Sequence, residues 1–141
     1  MVNSPKLNFF DARAACARLR DGSELAAITT AEDNDFIGSL ASEPRADRFF
    51  GLRRKGAEKF KWEKEGLGRL RMDDYAGWFP GMPGRERKLR CVAQETRMIN
   101  GVTTAGWVIT GCNQHRRYVC QRPVPPTENS NRRRRRRRRR N

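Results

Sequence analysis

CVAQETRMINGVTTAGWVITGCNQHRRYVC, residues 91–120, holds three of the chain's four cysteines. Cys91 opens it, and Cys112 follows the apolar run Gly106-Trp107-Val108-Ile109. Cys120 closes a short strand, Arg117-Tyr118-Val119-Cys120. The fourth cysteine, Cys16, lies far upstream in a helical pattern. An even count split this way in a small chain points to two disulfides. Spacing alone leaves three pairings open. Chain entropy ranks them. A bridge from Cys112 to Cys120 closes too short a loop to stabilise much. Cys16–Cys120 closes a loop of roughly a hundred residues, worth about 4.7 kcal/mol. Cys91–Cys112 then pins a hairpin-like excursion worth about 3 kcal/mol. The ranking favours that pair. A zinc set of Cys112, His115 and Cys120 with Cys91 has a suitable composition, but the remote Cys91 breaks the paired spacing of such sites. No metal or cofactor is expected.

The chain has 141 residues, which suits one domain with a modest core. Its apolar content of 36% is diluted by nine consecutive arginines at residues 132–140. The formal net charge is +15; taking away those nine leaves +6, so the body is basic in its own right. No run of roughly 20 apolar residues occurs, so no membrane span is expected. The cysteines imply an extracellular or secreted setting. The opening MVNSPKLNFF has no apolar secretory core. The two fit together if the N-terminus is incomplete or processed, or if export takes another route. No Asn-x-Ser/Thr acceptor occurs, so glycosylation does not help to place the chain.

Asn8 can cap a helix running through Phe10, Ala14, Ala15 and Leu19, with Asp11 in its first turn and Gly22 past its end. Leu25-Ala26-Ala27-Ile28 reads as a short buried strand or extended segment. Thr30-Ala31-Glu32-Asp33 is a variant capping box. Phe36, Ile37 and Leu40 then recur at helical spacing to about Ala41, and Pro44 marks the end. Phe49-Phe50-Gly51-Leu52 is a brief apolar strand. Phe60 and Trp62 alternate with Lys59, Lys61 and Glu63, the period of a half-buried strand. Residues 66–90 are rich in Gly, Pro and charge and read as a long irregular loop. Tyr75, Trp78 and Phe79 give that loop apolar anchors, which argues for order. Helices followed by short strands make an α+β domain over residues 1–122. Residues 123–141 read as a disordered Pro/polar linker and poly-Arg tail.

In this order the pieces resemble a C-type lectin-like domain from about residue 8 to 122. Phe9-Phe10-Asp11-Ala12 leading to Cys16 resembles the family's opening helix. Leu25-Ala26-Ala27-Ile28 and Phe49-Phe50-Gly51-Leu52 resemble its Leu-Ala-x-Ile and Trp-Ile-Gly-Leu segments. Phe60-Lys61-Trp62 with Gly66, and Trp78 with Gly81-Met82-Pro83-Gly84, are similar to its next strand and its long loop. Cys91, Trp107, Cys112 and Tyr118-Val119-Cys120 follow in order. The resemblance implies two helices, short antiparallel strands, and the bridges Cys16–Cys120 and Cys91–Cys112. It implies carbohydrate binding as well. The calcium and sugar triplets of the family are replaced by Met82-Pro83-Gly84 and Trp107-Val108-Ile109, and an acidic position near the third cysteine by Leu89 and Arg90. Calcium takes six to eight oxygen ligands, and these side chains offer no carboxylate or amide. A site without calcium is therefore expected. The strand that precedes the first helix in the family is shortened here.

Two basic clusters stand out. Arg53, Arg54, Lys55, Lys59 and Lys61 oppose only Glu58; Arg85, Arg87, Lys88 and Arg90 oppose only Glu86. Arginine's planar fork suits sulfate, phosphate and carboxylate. Tyr75 and Trp78 can stack on a sugar or a base. The plainer reading is a solvated basic face with Trp78 in the core. Arg132–Arg140 will bind polyanions with a steep salt dependence, or has no selected role. Enzyme chemistry finds little footing. Asp73-Asp74 and Glu63/Glu65 are neighbours that seldom face each other across a substrate. His115 is the one histidine, beside a cysteine expected to be oxidised. The expected function is a non-enzymatic binding module for an anionic or sulfated glycan, or for a protein surface. The alternatives are a polyanion- or nucleic-acid-binding protein driven by its tail, and a lectin-like protein–protein or matrix component.

Overall fold

Asn8 starts the first helix as its side chain predicts. Its Oδ1 accepts from the Asp11 N–H at 2.8 Å, and α1 runs Phe9–Ala17. The computed structural model describes residues 6–19, 22–40, 47–56 and 59–122. The buried face of α1 is Phe9, Ala12 and Cys16. This corrects the expected face: Phe10 and Leu19 are exposed. Thr30 caps α2 (Ala31–Ser39) by accepting from the Asp33 N–H at 3.0 Å. Here too the face differs, because Phe36 is 64% exposed and the buried residues are Asn34 and Ile37. A polar residue takes the inner position because it finds partners there. Ala41 and Pro44, the expected end of this helix, lie outside the described residues, as do residues 123–141.

The short strand β1 (Glu24–Leu25) pairs antiparallel with β7 (Cys120–Gln121). The main sheet contains β2 (Asp47–Gly56), β3 (Lys59–Trp62), β4 (Cys91–Ile99) and β5 (Val102–Thr110), ordered β3-β2-β4-β5. A last strand, β6 (Arg117–Tyr118), pairs parallel with β2. β3 alternates exposed and buried as expected. β2 is longer than the apolar run that announced it, since it continues through Arg53, Arg54, Lys55 and Gly56. The β4–β5 hairpin turns at Asn100-Gly101, both with positive φ (51° and 79°). That dipeptide is the strongest short-range hairpin signal.

Strand alternation sorts the core into two sides. Phe50 and Leu52 pack with Phe60, Trp62, Val92 and Trp107 on one side. Phe49 packs with Phe9, Cys16, Ala93 and Tyr118 on the other. Both disulfides are those the sequence favoured: Cys16–Cys120 ties α1 to β7, and Cys91–Cys112 ties the start of β4 to the segment after β5. With all four sulfurs so bonded, they form no thiolate set around His115, and the zinc alternative falls.

Gly51 sits where the two sheets meet. Its N–H donates to the Ala26 carbonyl at 2.7 Å, and an added Cβ would lie 2.8 Å from the Leu25 carbonyl oxygen. Backbone on that side cannot retreat without breaking β1. Gly51→Ala is expected to cost about 1–3 kcal/mol, read as a lower midpoint in urea unfolding with an unchanged slope.

Candidate functional site

Arg53 and Arg54 are sequence neighbours on a strand, so their side chains leave on opposite faces. Arg53 follows Phe49 to the helix side. It pairs with Glu63 at 3.0 Å, and its guanidinium lies over the rings of Phe9 and Phe10. Arg13 reaches the same carboxylate at 3.5 Å. Arg54 follows Phe50 and Leu52 to the other side and is 6% exposed. Its Nη2 donates to the Gly84 carbonyl at 2.8 Å and its Nη1 to Glu86 at 3.0 Å and, more weakly, to Leu89 at 3.4 Å. Arg54 therefore clamps the end of the long loop to the sheet.

The loop, residues 66–90, has no strand of its own and borrows partners along its length. Gly68 accepts from Trp62 N–H, and Leu70 N–H donates to Phe60. The carbonyl of Gly77 accepts from Trp107 N–H at 2.7 Å, and Phe79 N–H donates to the Trp107 carbonyl at 3.1 Å. Phe79 is buried where Gly106 leaves room; a Cβ there would sit 2.6 Å from its ring. Trp78 packs against Phe60 (5.0 Å between centroids) and edge-on to Trp107 (5.5 Å).

These contacts shape a groove of about 650 Å³ lined by Phe60, Leu70, Met72 and Trp78 on its apolar side and by Arg54, Arg71, Arg85 and Arg87 on its basic side. No carboxylate lines it among the described residues. Trp78, Arg85, Arg87 and Arg54 were expected at the site and are brought together here. Lys55 and Arg90 line an adjoining hollow with Arg54 and Arg87. Lys88 lines neither hollow, and Arg53 lies across the sheet. Tyr75 borders a separate hollow with Trp62, Leu70 and Asp74, and its ring meets Trp107 edge-on at 5.8 Å. Arg71 joins the groove without having been singled out. Its position is set by Asp74, whose Oδ2 accepts from the Arg71 N–H at 2.9 Å. Its neighbour Leu70 donates its N–H to Phe60, a contact distant in sequence that no local signal announces.

The model of the Lectin C-type domain matches residues 5–122. This chain belongs to the C-type lectin domain family. Solved structures of similar fold include a lectin C-type domain from a hypothetical C. elegans protein. It is 23% identical, with TM-score 0.71, covering 90% of this chain and 82% of that one. Human lithostathine is 20% identical (TM-score 0.66; 84% and 78% covered). Herring type II antifreeze protein is 22% identical (TM-score 0.66; 89% and 95% covered). No curated protein sequence matches. The lectin family implies calcium at the triplets noted above, and the residues present do not fit it. Met82, Gly84, Val108 and Ile109 supply no side-chain oxygen, and Val108 and Ile109 are buried in the core. Arg85 and Arg87 bring positive charge beside Met82-Pro83-Gly84. A hard cation needs six to eight oxygens.

Arg54→Met keeps the stem over Phe60 and removes the donors to three carbonyls. It is expected to cost about 2–4 kcal/mol in denaturant unfolding, with hydrogen-exchange protection lost first at residues 84–90. A pH effect follows from Tyr75, whose phenol is pushed above 10 by burial first and then by Asp35 and Glu32. The folded state therefore holds this proton longer than the unfolded state. Stability from this group is complete below pH 10 and falls as pH rises through the folded value. Tyr75→Phe is expected to flatten that decline in alkaline unfolding curves.

Proposed function

We propose that this C-type lectin domain is a non-enzymatic binding module that recognises an anionic ligand, glycan or protein, without calcium at the family's usual position. The observation that carries this reading is the groove in which Arg71, Arg85 and Arg87 face an aromatic wall containing Trp78, with no carboxylate among its lining residues. Charge of one sign in a concave site focuses the field on an anion. Guanidinium forks hold oxyanions bidentately, and an aromatic wall supports stacking of a ring face. Domains of this family are generally binding modules. The acidic pairs support no other role here: Glu63 is held by Arg13 and Arg53, and Asp74 holds a turn. Disulfide-bonded domains of this kind typically work outside the cell, which fits the two bridges.

Arg132–Arg140 supports a second, less selective mode of polyanion binding. Salt separates the two. The test is retention on immobilised heparin, with and without chelator, for the full chain and for a chain ending at Thr127. Retention of the shortened chain that persists in chelator is expected, and Arg85→Gln with Arg87→Gln should weaken it about tenfold. Loss of all retention on removing the tail would sink the groove as the binding site.

A further inference from the structure

The groove adjoins a smaller hollow of about 210 Å³ that shares Arg54 and Arg87 with it and is completed by Lys55, Gly56 and Arg90. Among the described residues, four cations line it and no carboxylate does. Arg54 is the telling member. It is 6% exposed, and its buried Nε has no hydrogen-bond partner among the described residues. Its other nitrogens meet neutral carbonyls, and its Cζ lies 5.1 Å from the centre of the Phe60 ring. A buried cation is ordinarily matched by a counter-charge, because solvent no longer supplies one. Lys55, Arg87 and Arg90 add like charge around it, and none of the described lining residues supplies the counter-charge.

The geometry points to a subsite for a tetrahedral oxyanion in this hollow, and specifically for the sulfate ester of a glycan whose sugar ring lies in the adjoining groove against Trp78. This rests on the groove reading above and sharpens it. A water in liquid occupies about 30 Å³, so the hollow has room for a sulfate group and its bridging oxygen beside a few waters. Guanidinium and ammonium groups arranged around a concavity suit an oxyanion with oxygens in several directions. The apolar wall beside it suits a ring with an apolar face more than an extended phosphorylated peptide. Phosphate esters share the chemistry of the hollow, and the experiment separates them from sulfate.

The test uses the full chain, so that the tail contributes equally in every variant. The Arg side-chain Nε–H resonances are followed by NMR during titration with a sulfated disaccharide, the same disaccharide without sulfate, and a sugar phosphate. The sulfated sugar is expected to move the Arg54 resonance saturably. The unsulfated sugar should bind at least tenfold more weakly, and at about pH 5, where a phosphate monoester carries about one charge like the sulfate, the phosphate should bind no more tightly than the sulfate. Gly56→Asp puts a carboxylate at the hollow's rim. Among the described residues, a Cβ at residue 56 meets only the Lys59 side chain, at 3.9 and 4.0 Å, so they leave room for it. This variant should lose about tenfold in affinity at unchanged Tm, and Lys55→Gln with Arg90→Gln should do the same. Unchanged affinity in both, alongside weakening by Arg85→Gln, overturns the subsite and leaves the groove reading standing. Equal affinity for sulfated and unsulfated sugars overturns the subsite, and tighter binding of the phosphate overturns its assignment to sulfate. A protein that needs its tail to stay on heparin and binds neither sugar saturably overturns the groove reading, and the subsite with it.

Discussion

The backbone of Trp107 donates to Gly77 and accepts from Phe79, and through that pair of hydrogen bonds the long loop acquires a shape. A loop near a core must satisfy its N–H and C=O groups somewhere, and residues 66–90 form no ladder among themselves. Trp107 serves the middle of the loop and Arg54 serves its end, where three carbonyls converge on one guanidinium. Both come from the rigid sheet. The groove is thus the space left between the sheet and a loop fastened to it at its start by Phe60 and Trp62, at its middle by Trp107 and at its end by Arg54, and its cations inherit their positions from those fastenings.

Trp107 can act as a fixed point because it is itself held. It is fully buried, and its Nε1–H donates to Asn34 Oδ1 at 2.9 Å. That oxygen also accepts from Gln94 Nε2 at 2.8 Å, while Asn34 Nδ2 donates to the Ala105 carbonyl at 3.0 Å. Gln94 Oε1 accepts from Arg48, whose Nη1 also donates to the Ile37 carbonyl. One polar chain therefore links α2, β2, β4 and β5 inside the core. Burial, with Arg117 nearby, lowers the Arg48 guanidinium to about 10, the direction expected where the surroundings resist its charge. Such a network specifies one register between helix and sheet, since any slip leaves several buried polar groups without partners.

The parts of this fold legible in the sequence are those fixed locally. Asn8 and Thr30 cap helices through bonds to residues three positions on. Lys59–Trp62 alternates because one face is wet. The cysteines fall where chain entropy and family order agree. What was missed depends on contacts distant in sequence. Spacing favours Phe36 over Asn34 for the buried face of α2, yet Asn34 is accepted inside because Trp107, Gln94 and Ala105 satisfy it. The same holds for β2. An apolar run followed by Arg-Arg-Lys looks like a strand ending at Leu52, and grouping Arg53 with Arg54 follows from that. Once the strand is seen to continue to Gly56, alternation alone sends one arginine to Glu63 and the other to the loop.

That division also explains why stability and recognition are hard to separate here. Arg54 holds the loop and, at the same time, places a buried charge beside Lys55, Arg87 and Arg90. Like charges lining one hollow repel, and physiological salt largely screens them only beyond about 8 Å. The loop end is therefore held by hydrogen bonds against an electrostatic load of its own making. An anion in the hollow removes that load and adds contacts only the folded loop can offer. By linkage it stabilises the fold by about 2.7 kcal/mol at a hundredfold excess over its Kd. If the proposed anion binds there, binding and loop order share one free energy, because the same guanidinium borders the hollow and holds the loop.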